Sequence, residues 1–311
     1  MNDRTTSLAS LIVAVTGVLW GFYWLPVRRL ETLGMPGAWG TLGIVTAAML
    51  LLLPFAWRDR AAIRGAAAAA LGSILLGGAA FTLYSVAFVY GRVAIVILLF
   101  FLTPVWSVLL ARFVMDWPVP RLRLVAIVVG LAGLAVMLGG GGQGVPVPRG
   151  IGEWLALASG LLWSASTTGI RSQPVLRAGT AAFLFALGAS TCALALALWL
   201  APVPPLPSAA ALTTAVGAGA LWWGLSMAGL MWATGRLDPA RVGILLMAEV
   251  LVGALSAALL AGETLGPFEL AGGALVLAAA VLELWPVHRP EGPDSPAATG
   301  KPEPSSTGAP E

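Results

Sequence analysis

Charge is scarce in this 311-residue sequence: Asp, Glu, Lys and Arg together make up 10% of it, against 59% hydrophobic residues. A soluble domain carries about 25% charged residues because its surface faces water, so that class is excluded. Cys192 is the one cysteine, which rules out an internal disulfide and a multi-thiolate metal centre. His288, the one histidine, follows the last apolar run. No histidine-based metal site or catalytic dyad is therefore expected, nor any cofactor. The Gly139 to Gly144 stretch lacks the Gly-Lys-Ser/Thr ending of a phosphate loop, so it reads as a linker. Basic residues outnumber acidic ones 17 to 14, but they are scattered over short segments, which argues against a nucleic-acid partner.

What the sequence does have is long uncharged runs: Leu8 to Leu25, Gly65 to Tyr90, Val93 to Leu110 and Leu124 to Leu138. A helix crossing the ~30 Å hydrocarbon layer needs roughly 20 such residues. A β-barrel would show period-two alternation instead. The pattern predicts an all-α integral membrane protein with ten spans, at 8–28, 37–57, 65–90, 93–114, 121–139, 151–170, 180–200, 209–232, 240–261 and 266–285. The first span is read as retained, since no small-residue cleavage site leads from it into a soluble region. The tail 286–311 is rich in Pro, Glu, Ser and Thr and is expected to be disordered and cytoplasmic.

Orientation follows from the basic residues. With the N-terminus inside, only Arg28, Arg29, Arg92 and Arg149 of the seventeen lie outside, a strong positive-inside bias. Both termini are then cytoplasmic. The abundance of Ala, Gly and Arg beside a single Lys suits a high-GC bacterium, and hence its inner membrane.

The two halves echo each other. Gly17-Val18-Leu19-Trp20-Gly21 resembles Gly160-Leu161-Leu162-Trp163-Ser164, and Arg28 follows at the offset of Arg171. Gly91-Arg92 matches Gly235-Arg236, and Asp116 matches Glu263. Five spans per half is an odd number, so the second half should sit inverted on the first. This is a recurrent plan in secondary transporters, with the site near the midplane. The expected division is a first repeat over 1–138, a Gly-rich linker over 139–150 and a second repeat over 151–285.

These features resemble the EamA-like transporters of the drug/metabolite transporter superfamily. The local match runs from Met247-Ala248-Glu249-Val250 to Leu260-Ala261-Gly262-Glu263, with Val250 where a proline is usual. The first half keeps Leu102-Thr103-Pro104-Val105 but has Met115-Asp116 in place of Gly-Glu. The resemblance implies a ten-helix carrier, commonly an exporter of metabolites or amino acids.

Glu249 is the sharpest candidate, because a charge at mid-membrane costs about 2.5–3.5 kcal/mol on insertion scales. Gly253 and Ser256 extend a small, mildly polar face from it. It suits proton exchange or neutralisation of a cationic substrate; alternatively it locks its helix to a neighbour. Trp20, Tyr23, Tyr84 and Trp163 are candidate cavity rings, with Trp24, Trp222 and Trp223 nearby; anchoring at the membrane interface is the competing role. Thr103 and Ser107 flank Pro104, which removes a helix bond to the Phe100 carbonyl and creates a candidate hinge. Thr167, Ser166 and Ser226 are weaker hydroxyl candidates, and packing explains all of these equally well. Asp116 and Glu263 end their helices at the membrane rim, where solvation is expected.

The function expected is movement of a small molecule by alternating access within membrane lipid, with export implied by the resemblance and with coupling to protons through Glu249. No nucleotide-binding domain supports direct ATP use. A non-transporting scaffold or receptor is the alternative. A lipid enzyme fits less well, since it needs convergent catalytic groups and Glu249 has no evident acidic partner.

Overall fold

The computed structural model describes residues 3–116, 121–139, 147–171, 176–234, 236–237 and 239–284. Most of the Gly-rich linker, the Gly235 landmark and the tail 286–311 lie outside the described residues. Among the described residues the chain is helical without strands. In the first half the helices are α1 (Asp3–Gly21), α2 (Trp24–Thr32), α3 (Ala38–Arg58), α4 (Arg60–Gly65), α5 (Ala68–Tyr90), α6 (Val93–Phe100), α7 (Thr103–Phe113) and α8 (Arg121–Gly139). The second half has α9 (Ile151–Arg171), α10 (Ala178–Leu200), α11 (Ala209–Ala218), α12 (Met227–Thr234), α13 (Pro239–Leu246), α14 (Ala248–Leu260) and α15 (Pro267–Leu284). A π-helical segment, Gly219–Ser226, joins α11 to α12.

Among the described residues, six helical stretches are long and apolar enough to cross a membrane: Arg4–Thr32, Ala38–Arg58, Ala68–Tyr90, Val93–Leu110, Arg121–Gly139 and Ala178–Leu200. Ile244–Leu260 and Pro267–Leu282 are shorter apolar helices. Several expected spans are interrupted where a continuous helix was anticipated. The first turns at Phe22–Tyr23, the fourth at Phe101–Leu102 and the ninth at Met247. Continuous apolar character hides such turns, because the sequence stays equally hydrophobic through them.

Backbones approach closely at glycines. A Cβ on Gly78 would sit 1.9 Å from the Phe185 carbonyl, and one on Gly188 would sit 2.2 Å from the Leu75 carbonyl, so α5 and α10 pack backbone to backbone. Gly133 and Gly272 face each other across α8 and α15 in the same way. Small residues permit this van der Waals packing where lipid offers no hydrophobic drive between helices.

The packing pairs have a regular form. α3 lies on α10 and α8 on α15, while α5 packs on α9 and α1 on α12. α1 also meets α13 and α14, just as α9 meets α6 and α7. Advancing each member by five expected spans converts one contact of a pair into the other.

Candidate functional site

The interrupted helices define the centre. At the α6–α7 turn, Leu102 N bonds Leu99 O at 3.3 Å and Val105 N bonds Leu102 O at 2.9 Å. At the α13–α14 turn, Met247 N bonds Ile244 O at 3.2 Å and Val250 N bonds Met247 O at 3.1 Å. Each residue in the second set stands 145 positions after its counterpart. Both turns tighten from i−4 to i−3 bonding, which changes the helix direction and leaves carbonyls to be satisfied by other groups. In this register Pro104 corresponds to Glu249.

Each turn is supported by a glycine from the other half. A Cβ on Gly17 would lie 3.2 Å from the Leu245 carbonyl, and one on Gly160 would lie 3.0 Å from the Phe100 carbonyl. Leu245 and Phe100 are again 145 residues apart. The Gly-x-x-Trp segments thus place Trp20 and Trp163 one helical turn beyond these contacts, on the inner side of α1 and α9.

Glu249 begins α14 directly after the turn and is 9% exposed. The Tyr84 hydroxyl donates to its Oε1 at 2.8 Å. Trp20 Nε1 donates to Ser226 Oγ at 3.0 Å, and Trp24 Nε1 to Ser256 Oγ at 3.0 Å. Tyr23 Oη lies 3.2 Å from Ser85 Oγ, which in turn lies 2.7 Å from Thr41 Oγ1. Apart from the Tyr84–Glu249 bond, three separate sets of neutral polar groups are therefore bonded in the interior. Such groups in a membrane interior need partners, and here they find one another.

Rings close the cluster. Phe81 touches Trp20 at 4.5 Å between centroids, Tyr84 at 5.5 Å, Trp223 at 5.4 Å and Trp163 at 6.2 Å. Phe81 thus contacts both Trp20 and Trp163. Tyr84 also stacks obliquely on Phe100 at 4.4 Å. Trp20, Tyr23, Tyr84 and Trp223 are buried, and Trp163 is half-buried.

The hydroxyl candidates fall into two groups. Ser226 belongs to the central cluster, where it also donates to the Trp222 carbonyl at 2.5 Å. Thr103, Pro104, Ser107 and Thr167 lie at the α7–α9 contact and are half-buried. The Phe100 carbonyl, expected to be left free by Pro104, accepts from Thr103 Oγ1 at 2.5 Å. Thr103 O accepts in turn from Ser164 Oγ at 2.9 Å. Thr167 Oγ1 bonds back to Trp163 O at 2.9 Å, and Ser166 Oγ bonds Ser73 O at 2.7 Å.

Sequence reasoning missed Phe81, Phe185, Ser85 and Thr41. Phe81 and Phe185 carry no signal, since a phenylalanine within an apolar run is indistinguishable from lipid-facing or core residues. Ser85 and Thr41 were available as mid-run hydroxyls. Two cavities lie away from the cluster. One of about 320 Å³ is lined by Arg92, Arg149, Glu153 and Glu269 among others, and one of about 680 Å³ is an apolar groove along α3, α10 and α11.

Glu263 differs from the solvated rim residue expected. Gly262 takes a left-handed φ of 65° and turns the chain so that Glu263 N reaches Ala257 O at 3.1 Å. Its side chain is 9% exposed and pairs with Arg28 at 3.2 Å. Asp116, by contrast, is exposed.

Helix interruptions joined at a buried acid, within a bundle of long apolar helices, define a polytopic membrane protein with a built interior. The model of the EamA-like transporter family matches residues 7–139. Those residues are therefore similar to the EamA-like transporters of the drug/metabolite transporter superfamily, the resemblance that the sequence suggested. No curated protein matches the chain. A solved crystal structure, described only as that of a protein, is similar over 89% of this chain and 96% of its own, at 19% identity and a TM-score of 0.56; that likeness concerns the fold alone.

Proposed function

We propose that this chain is a secondary transporter of a small molecule, built as two inverted five-span repeats that rock about a central site. The observation that carries the reading is Glu249, a buried carboxyl at the start of a half-helix, bonded to Tyr84 of the other half. An ionisable group in that setting marks a substrate or ion pathway by default. Interrupted helices meeting at mid-bundle are the usual means of building such a site.

Three further features support the repeat. The two turns match bond for bond at a spacing of 145 residues, each is seated on a glycine of the opposite half, and the helix pairs exchange under a five-span shift. Ten spans with both termini cytoplasmic in a bacterial inner membrane agree with the positive-inside count. The family points to export of a metabolite or drug-like compound. Glu249 is the proton- or substrate-binding group, with Tyr84, Trp20, Tyr23 and Ser226 around it. Trp163, Thr103, Ser107 and Thr167 form the opposite wall, and Pro104 the hinge.

The test compares cells carrying the wild type, Glu249→Gln or empty vector by untargeted profiling of metabolites inside and outside. One compound class leaving the cell with the wild type alone is the expected result. Equal export by Glu249→Gln removes the acid from the mechanism. Identical profiles for all three favour a scaffold or receptor.

A further inference from the structure

The two ends of the bundle carry repeat-related charged residues, and among the described residues those at the Arg28 end join one half to the other. At the Arg28 end, the Glu263 carboxylate takes Arg28 Nη2 at 3.2 Å, Val93 N at 2.8 Å and Ala94 N at 3.2 Å. Arg28 also donates to Phe88 O at 3.0 Å and Gly91 O at 2.9 Å. One second-half carboxylate therefore clamps the end of α2, the last turn of α5 and the first turn of α6. The negative charge sits at the helix N-terminus and the positive charge at the carbonyl end of α5, both favourable placements. Beside it, Arg92 pairs with Glu269 and donates to the Thr264 carbonyl, again joining first half to second.

The opposite end is different. Asp116, the counterpart of Glu263, is exposed. Arg236, the counterpart of Arg92, bonds Trp232 O at 2.7 Å and stacks on the Trp232 ring, all within its own segment. The ion pair described at that end also joins the halves, but at an exposed rim: Arg177 bonds Asp59 at 2.9 Å, with Thr180 donating to the same carboxylate at 2.9 Å, which ties α10 to the turn after α3 and not to α7, α9 or α13. The difference is already in the sequence. At the spacing of 145, Pro239 stands where Ala94 stands, and proline has no N–H to give a carboxylate. Asp116 is also one methylene shorter than Glu263. With Pro239 in that place, the second end lacks the donor that Ala94 supplies at the first.

We infer that Arg28, Glu263 and the first turn of α6 form a one-sided latch that holds the Arg28 end shut, so that at rest the protein opens at its Asp116 end. The inference rests on the transporter reading and deepens it. With the N-terminus inside, the latched end is the outer one, and the resting protein would load from the cytoplasm. Opening outwards breaks the clamp, and among the described residues the charged link between the halves at the other end is the exposed Arg177–Asp59 pair.

The test uses the full chain in liposomes, in a Cys192→Ser background, with spin-label pairs at the two ends. Thr32 and Leu270 report on the Arg28 end; Phe113 and Arg241 report on the Asp116 end. In Glu263→Gln, the long-distance population at the Arg28 end should rise on the order of tenfold, from loss of charge-assisted bonds, while the Asp116 end closes. Arg28→Gln leaves the cap on α6 in place and should give a smaller shift in the same direction, which keeps the test valid if Glu263→Gln folds poorly. Opening at the Arg28 end without closure at the other supports the latch and removes coupled rocking. Unchanged distances at the Arg28 end in both variants would overturn the latch while leaving transport, tested by metabolite profiling, untouched.

Discussion

The α6–α7 and α13–α14 turns are the same piece of backbone used twice with different side chains. Both replace i−4 bonds by i−3 bonds at equivalent residues, and both rest on a glycine of the opposite half. After the first turn comes Thr103-Pro104, whose hydroxyl satisfies the Phe100 carbonyl. After the second comes Ala248-Glu249, and the acid meets Tyr84. The first turn is stabilised by local chemistry, a proline that prefers the first turn of a helix and a threonine that caps its neighbour. The second has neither, and its polar group points to a partner on another helix. Matching geometry thus carries a proline in one half and a buried acid in the other.

The comparison can be broken by substitution. The largest effect is expected at Glu249, where Gln should reduce export to the level of the empty vector, whereas Pro104→Ala should leave measurable export; metabolite profiling of both variants checks this. Exchanging the importance of the two sites would reverse their assignment. Next are the glycine seats. Gly17→Leu and Gly160→Leu each force a side chain against a carbonyl 3.2 and 3.0 Å from the Cβ position, and each should destabilise by roughly 1–3 kcal/mol through overpacking. Thermal unfolding in detergent reads both, and clearly unequal losses would show that the halves are not equivalently packed.

Tyr84→Phe removes the hydrogen bond to Glu249 while keeping the ring, and should lower transport by roughly tenfold, the scale of one bond to a charged group. Trp20→Phe, which loses a neutral bond to Ser226, should cost less in the same assay. Equal losses would mean that the ring cluster, and not the acid, sets the rate. The smallest effect belongs to Thr103→Val, which leaves the Phe100 carbonyl without its hydroxyl donor. A loss of about 0.6 kcal/mol is expected, the average for such bonds within membranes, visible as a small fall in the unfolding midpoint with transport retained.

Much of this was legible beforehand from particular residues. The uncharged runs announced membrane helices, because lipid accepts no exposed polar backbone. Glu249 stood out because apolar surroundings make a charge conspicuous. Gly17 and Gly160 appeared as landmarks beside Trp20 and Trp163, without any sign of what they touch. The turns at Phe101–Leu102 and Met247 were invisible, since the hydropathy does not change there. Phe81 was invisible for the same reason, although its ring contacts both Trp20 and Trp163.

Glu263 and Asp116 show where such reading stops. As sequence they are a matched pair of acids, each ending its helix. Composition and hydropathy determined by themselves that this chain is a bundle of apolar helices with one acid deep in its second half, because transfer into lipid acts on each segment separately. Only the tertiary structure decided that Glu263 is buried against Arg28 and the start of α6 while Asp116 faces outwards. The environment of a carboxylate is set by helices distant in the chain, and two acids equivalent by position become different once one of them finds three donors.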